Sequence, residues 1–208
     1  STLVIQEDGG ILTGGEFNTV GGSARHGIAR LQADGSVDPS FNAQTDGHVF
    51  ALGVQPDGRV LAGGSFNMVN GTPRSNLVRL LADGSLDESF DAGAAGLVLE
   101  LAVLPNQRVI AAGAFMAWDG IPRAGIVQLR QNGRLDRGFD AGADETVNSL
   151  ELQPDGKILV GGDFTVLRGG LRIGIGRLNA NGRADRTFLP PAVPEEMDTL
   201  ALQPDGKV

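Results

Sequence analysis

ILTGGEF (11–17), VLAGGSF (60–66), VIAAGAF (109–115) and ILVGGDF (158–164) are four versions of one seven-residue block. Their closing phenylalanines, Phe17, Phe66, Phe115 and Phe164, follow one another at a constant step of 49 residues. A fixed period of this size is the mark of stacked structural repeats, and it decides the fold before any single residue does. It also limits the functional reading, because a residue present in every copy belongs first to the scaffold.

The second copy shows the unit most clearly. HVFALGVQ (48–55) reads as a strand, Pro56-Asp57-Gly58 as a tight turn and RVLAGGSF (59–66) as a second strand. NMVNGTPR (67–74) reads as a longer polar loop and SNLVRLLA (75–82) as a third strand. Asp83-Gly84 is a hairpin dipeptide, SLDESF (85–90) a short fourth strand, and DAGAAG (91–96) the link to the next copy. Four short strands per period without helical periodicity describe one blade of a β-propeller. A parallel β-helix fits worse, since its coils are shorter and need fewer hairpin dipeptides.

The expected fold is therefore all-β: a propeller of four-stranded antiparallel blades in one region spanning 1–208. The blades fall at about 1–43, 48–92, 97–141 and 146–190, with the start of a fifth at 196–208. The last segment, DTLALQPDGKV (198–208), repeats the first-strand sequence STLVIQEDGGI (1–11). One closed ring of four blades has no place for both, so the chain is expected to be part of a larger ring or to be completed by a second copy. The third copy departs from the turn pattern at Gln107, where the others have Gly9, Gly58 and Gly156.

Composition narrows the function. The chain has 208 residues, no Cys, no Tyr, one Trp and 32 Gly. Absence of Cys excludes a disulfide framework and thiol or Cys-metal chemistry. A formal charge of −8 disfavours nucleic acid and anionic membranes, both of which need a basic surface. No apolar run reaches the length of a membrane span. Ser1 is not preceded by Met, so the lack of a signal peptide carries no information on compartment.

The pattern LQPDGKILVGGDF, a Gly-x-x-Arg loop, an Arg-Leu strand end, Asn/Asp-Gly and Asp-x-x-Phe resembles the bacterial delta-60 repeat. The resemblance covers the whole chain and drifts at Gln107, Ala112 and Leu189-Pro190. It implies a propeller-like fold within a large, often secreted or surface-associated bacterial protein. It brings no catalytic residues and no cofactor.

Two polar series occur in all four copies. Arg25, Arg74, Arg123 and Arg172 follow a loop glycine; Asp38, Asp87, Asp136 and Asp185 precede the outer Phe41, Phe90, Phe139 and Phe188. One Arg and one Asp per blade are expected to pair as a structural device, with an anion-binding ring of arginines as the functional alternative. A further series, Arg30, Arg79 and Arg177, is broken by Gln128 and reads as a solvated strand face. Asp34 and Asp38, or Asp83 and Asp87, are too sparse for calcium, and no metal is expected. His26 and His48 are isolated in sequence.

Binding is expected on the face that carries the long second-to-third loops and the inter-blade links, because these vary while the tight turns repeat. Its candidates are Trp118, Asp119, Asp46, Asp144, Glu145, Glu195 and Glu196. Trp118 replaces Val20, Val69 and Leu167, so packing competes with contact there. The leading expectation is a non-catalytic scaffold or binding module, extracellular or on the cell surface, that engages a protein or a glycan. One alternative is a channel-centred metal-dependent hydrolase or lyase using Glu100, Ser149, Glu151 and Asp198. The other is a spacer in an adhesin-like protein.

Overall fold

The computed structural model of the chain describes residues 1–190 and 197–203. Within them there is no helix, and every regular element is a strand. The first repeat contains β1 (Thr2–Ile5), β2 (Ile11–Gly14), β3 (Thr19–Val20), β4 (Ser23–Ala24) and β5 (Ile28–Leu31). The second contains β6 (His48–Val54), β7 (Val60–Ser65), β8 (Met68–Val69), β9 (Thr72–Pro73) and β10 (Leu77–Leu80). The third contains β11 (Ala94–Val103), β12 (Val109–Trp118), β13 (Ile121–Pro122) and β14 (Ile126–Leu129). The fourth contains β15 (Val147–Leu152), β16 (Ile158–Gly162), β17 (Val166–Leu167), β18 (Gly170–Leu171) and β19 (Ile175–Leu178).

Each repeat forms an antiparallel sheet of three main strands, in the orders β1-β2-β5, β6-β7-β10, β11-β12-β14 and β15-β16-β19. The expected fourth strand is present as one isolated bridge, Leu31 to Val37, Leu80 to Leu86, Leu129 to Leu135 and Leu178 to Ala184. What stops it there is the Asp of Asp-x-x-Phe. Its carboxylate accepts the amide two residues on (Ser40, Ser89, Gly138 or Thr187) and bends the chain into a turn.

The segment read as a polar loop is a small hairpin in every repeat: β3-β4, β8-β9, the β12-β13 end of the third sheet, and β17-β18. Its central pairs have positive φ at both residues, 51° and 76° at Asn70-Gly71 and 50° and 70° at Asp119-Gly120, as a type I′ turn requires. The tight turns after the first strands are also alike. Gln55 donates to the Arg59 carbonyl at 2.8 Å and Gly58 to that of Gln55 at 2.9 Å. Leu104, Gln107 and Arg108 repeat this geometry, so Gln107 adopts φ 63° in the place of glycine and the turn type is unchanged.

The sheets pack in sequence order, β1 and β2 on β6, β6 and β7 on β11, β11 and β12 on β15. Among the described residues no comparable packing joins the first sheet to the fourth. The repeated glycine at the end of each second strand is required by closeness. A Cβ on Gly64 would lie 1.9 Å from the His48 carbonyl oxygen, and on Gly113 2.1 Å from that of Leu97. Both glycines face a bulge in the first strand, at Val49/Ala51 and Val98/Glu100.

The outer phenylalanines belong to the seams. Phe41 shares a core with Val60 and Leu80 of the following repeat. Phe90 does so with Val109 and Leu129, and Phe139 with Ile158 and Leu178. Residues 197–203 begin the same arrangement again. Met197 and Leu200 cover Gly161, and the Leu200 amide donates to the Ser149 hydroxyl at 3.0 Å.

Candidate functional site

The repeated polar residues are consumed by the scaffold, though not in the expected pairing. Asp38, Asp87 and Asp185 bind Arg30, Arg79 and Arg177 through Nε at 2.7, 2.8 and 2.9 Å. Those arginines lie on the third strand, directly across the bridge from the Asp turn. Arg25, Arg74, Arg123 and Arg172 sit on the small hairpin instead. Each gives Nη1 to the carbonyl just before it, on Ala24, Pro73, Pro122 or Leu171. The broken series is therefore the paired one, and its members are not on a solvated face: Arg79 is only 5% exposed.

Where Gln128 interrupts the series, Arg108 is the close partner, from the position at which Arg59 and Lys157 add to the strand arginine, at 3.1 Å from Asp87 and 3.4 Å from Asp185. Arg108 Nη1 reaches Asp136 Oδ2 at 2.5 Å and Gln128 Oε1 at 3.1 Å. The guanidinium comes from the second strand, and the carboxylate is still neutralised. Arg30, Arg79 and Arg177 also cover the faces of Phe41, Phe90 and Phe188, at 4.9, 4.6 and 4.7 Å from the ring centres.

The loop-face candidates fare differently from one another. Trp118 is fully buried, edge-on to Phe115 at 5.1 Å, and so cannot touch a partner. Val69 and Leu167, at the equivalent positions, are likewise fully buried. Asp119 Oδ2 accepts the Leu135 amide at 3.0 Å and ties the hairpin to the outer turn. Asp46 Oδ1 accepts the amides of Asn67 and Met68, and Asp144 Oδ1 those of Thr165 and Val166, so both cap the next hairpin. These bonds hold both carboxyls below the usual range. For Asp144 burial opposes them without prevailing. Glu145 is exposed, and Glu195 and Glu196 lie outside the described residues.

Of the channel candidates, Glu100 and Glu151 come near each other. Burial raises the Glu100 carboxyl, with the nearby Glu151 adding to the shift against one amide bond from Leu101. Ser149 is buried and bonded to Leu200, while Asp198 is exposed. Among the described residues no three His, Cys, Asp or Glu side chains come together to hold a metal ion. His26 and His48, distant in sequence, line one cleft of about 180 Å3 with Glu16 and Asp46. His48 Nε2 lies 3.2 Å from Glu16, and His26 Nδ1 3.1 Å from Asn18 Oδ1.

An open groove among the described residues lies on the fourth repeat and has no counterpart in the expected site. It measures about 880 Å3 and runs between the β17-β18 hairpin and the outer turn. Arg168, Arg172, Arg183 and Arg186 line it, with Asp140 and Asn179. Arg168 pairs with Asp140 and has φ 48°, at the hairpin position where the other repeats have Gly21, Asn70 and Asp119. A long side chain in that conformation is uncommon. The signal available in the sequence was this replacement; Arg183 and Arg186 stand where the first two repeats have Ser36 or Ser85 and Pro39 or Glu88, but the third repeat has Arg134 and Arg137 there as well.

Four like sheets in series, built from one repeated strand–turn–strand unit, define a β-propeller repeat protein. The family described as domain of unknown function (DUF5122) beta-propeller matches at residues 6–41, 55–90, 104–139 and 153–188, and the chain belongs to that family. No curated protein matches. Among solved structures the chain is similar to a protein of unknown function from Bacteroides caccae, at 12% identity and a TM-score of 0.33. That match covers 89% of this chain and 81% of the other.

Proposed function

We propose that this chain is a non-catalytic binding module of a bacterial secreted or cell-surface protein, built of delta-60 repeats. Its blade would be the 49-residue unit, with a fourth strand shortened to one bridge, and its four blades would be part of a larger ring. The expected partner is a protein or a glycan, and the groove favours an acidic glycan.

One observation carries this reading. The polar residues shared by all four repeats hold the scaffold, whereas Arg168 stands where the other repeats have Gly21, Asn70 and Asp119 and meets Arg172, Arg183 and Arg186 on an open groove of about 880 Å3; Arg183 and Arg186 have counterparts in the third repeat alone, Arg134 and Arg137. A guanidinium fork matches a carboxylate or sulfate in geometry and charge. In a chain of net charge −8, three cationic groups beyond the Arg168–Asp140 pair form a local exception.

Calorimetric titration with an oligogalacturonate, and with a neutral malto-oligosaccharide as control, tests the proposal. Binding of the carboxylated sugar alone, lost in Arg183→Glu/Arg186→Glu with an unchanged melting temperature, is the expected result. Equal binding of both sugars, or binding that survives the double substitution, overturns it.

A further inference from the structure

We propose that the groove of the fourth repeat contains a seat for one carboxylate, at the backbone amide of Ala184, and that an acidic glycan enters by the carboxylate of a uronic acid. This deepens, and rests on, the reading of that groove as the binding site. The third repeat shows the same seat already filled. Its hairpin residue Asp119 sends Oδ2 to the Leu135 amide of the outer turn at 3.0 Å. That amide is available because Leu129 and Leu135 face each other across a bridge whose backbone bonds run through their neighbours. The Arg130 amide donates to the Arg134 carbonyl, and the Asp136 amide to that of Gln128. Ala184 stands in the same setting. It faces Leu178 across the equivalent bridge, while the Asn179 amide donates to the Arg183 carbonyl and the Asp185 amide to that of Arg177. The Ala184 amide is therefore turned away from the strand and meets no acceptor among the described residues, and Ala184 lines the groove.

The other repeats close this gap with their own side chains. Asn70 Nδ2 donates to the Gly84 carbonyl at 3.0 Å, and Asp119 takes the Leu135 amide. In the first repeat the hairpin residue is Gly21, and Val37 closes in from the opposite wall, 3.2 Å from where a Cβ on Gly21 would lie. The fourth repeat departs on both walls. Arg168 stands where the others have Gly21, Asn70 and Asp119, and Ala184 where they have Val37, Leu86 and Leu135. The hairpin is tethered as elsewhere, since the Arg168 amide donates to the Gly142 carbonyl at 2.7 Å as that of Asp119 does to Gly93 at 2.9 Å. The side chain differs: it turns to Asp140 and leaves the outer turn uncovered. Leu135 is accordingly buried and Ala184 only half-buried.

The group that fills the gap from within the third repeat names the group that fits it from outside in the fourth. A carboxylate places one oxygen on the Ala184 amide, as Asp119 places Oδ2 on that of Leu135, and turns the other to a guanidinium. Arg183 and Arg186 lie on the same turn and line the groove, with Arg172 on the hairpin. Arg134 and Arg137 hold the corresponding places in the third repeat, so a turn of the same charge already receives a carboxylate there. The groove, at about 880 Å3, leaves room for the sugar ring and its neighbours around the seat.

The Ala184 amide is itself the probe. Proton–nitrogen correlation NMR of the whole chain is followed during titration with trigalacturonate, with acetate and with galactose. Trigalacturonate is expected to move the Ala184 amide downfield to saturation, and galactose to leave it in place. Arg168→Asp gives the fourth repeat a carboxylate at the Asp119 position, which takes the amide from within. It is expected to weaken trigalacturonate by at least about tenfold, the scale of one hydrogen bond to a charged group. Ala184→Leu restores the residue of the second and third repeats and keeps every arginine. It is expected to weaken the sugar to a similar degree by narrowing the seat. Melting curves confirm that both variants fold. Acetate bound as tightly as trigalacturonate, with the same shift at Ala184, upholds the seat and overturns the glycan reading. Trigalacturonate bound without movement of the Ala184 amide, or undiminished binding by either folded variant, overturns the seat and leaves the groove's role standing. No response to any carboxylate overturns both.

Discussion

Arg79 and Asp87, almost completely buried, meet through Nε and Oδ2 at 2.8 Å at the point where the third strand gives way to the outer turn. The same guanidinium covers the Phe90 ring and reaches the Gln131 carbonyl of the next repeat. One side chain thus joins strand, turn and seam, and it can do so because the fork of an arginine offers several donors in one plane.

Removing the Asp87 carboxylate leaves that buried charge uncompensated. Asp87→Ala is expected to lower stability by about 3 kcal/mol, the usual scale for breaking a buried pair from one side. Asp38→Ala should cost less, because Arg30 and Asp38 are each 15% exposed and water replaces part of the lost interaction. Urea denaturation of the two variants checks the order. Equal midpoints would contradict it.

The third repeat offers a test of compensation. Arg108 alone holds Asp136 at close range, since Gln128 occupies the strand position used by Arg79. Arg108→Ala is expected to destabilise the chain, and Gln128→Arg added to it should recover most of the loss by restoring the pairing of the other repeats. A double-mutant cycle isolates this coupling. Additive effects of the two substitutions would show that the positions do not substitute for each other.

The all-β architecture and the tight turns were legible in the sequence because each depends on local chemistry: alternating apolar residues, Pro-Asp-Gly and Asn-Gly. The small hairpin was equally written there, in Asn70-Gly71 and Asp119-Gly120, and was missed because the flanking strands have only two residues each. The Arg–Asp pairing was not legible from identity across copies. Arg25 and its equivalents never vary yet bind their own hairpin, whereas the paired series tolerates Gln128 because Arg108 enters from another strand. Trp118 illustrates the same limit. A lone aromatic beside a turn reads as a contact residue until the ladder from Ala94 is seen to cover it.

Gln107 sits at φ 63° in a turn whose other three copies use glycine. Its turn bonds match theirs, and the further bond its carbonyl accepts from Gln55 Nε2 at 3.0 Å would be kept by glycine, so it does not depend on the Cβ in the left-handed region. Gln107→Gly is expected to stabilise the chain by roughly 1 kcal/mol. A rise of a few degrees in melting temperature would agree. A fall would mean that the Gln107 side chain, or the loss of chain entropy it imposes on the unfolded state, outweighs the strain.

Acid should unfold this protein through its outer turns. The Thr187 hydroxyl and amide, then the Arg177 guanidinium, hold the Asp185 carboxyl far below the usual range. The Ser40 hydroxyl lowers the Asp38 carboxyl as well. At Asp87 burial works the other way, but the Ser89 hydroxyl and amide together with Arg79 prevail. A carboxyl depressed in the folded state binds its proton more readily in the unfolded chain. Its contribution is therefore complete above the unfolded value of about 3.9 and disappears as pH falls through the folded value. Glu100 has the opposite sign, because burial raises it and its charged form is disfavoured on folding. Asp185→Asn is thus expected to be less stable than the parent at pH 7, with the gap narrowing steadily below pH 4. Glu100→Gln is expected to be more stable at pH 7 and to lose that advantage on acidification. Urea midpoints at pH 7, 4 and 2.5 decide both. A gap for Asp185→Asn that stays constant across the series would show that its carboxylate contributes nothing as a charge.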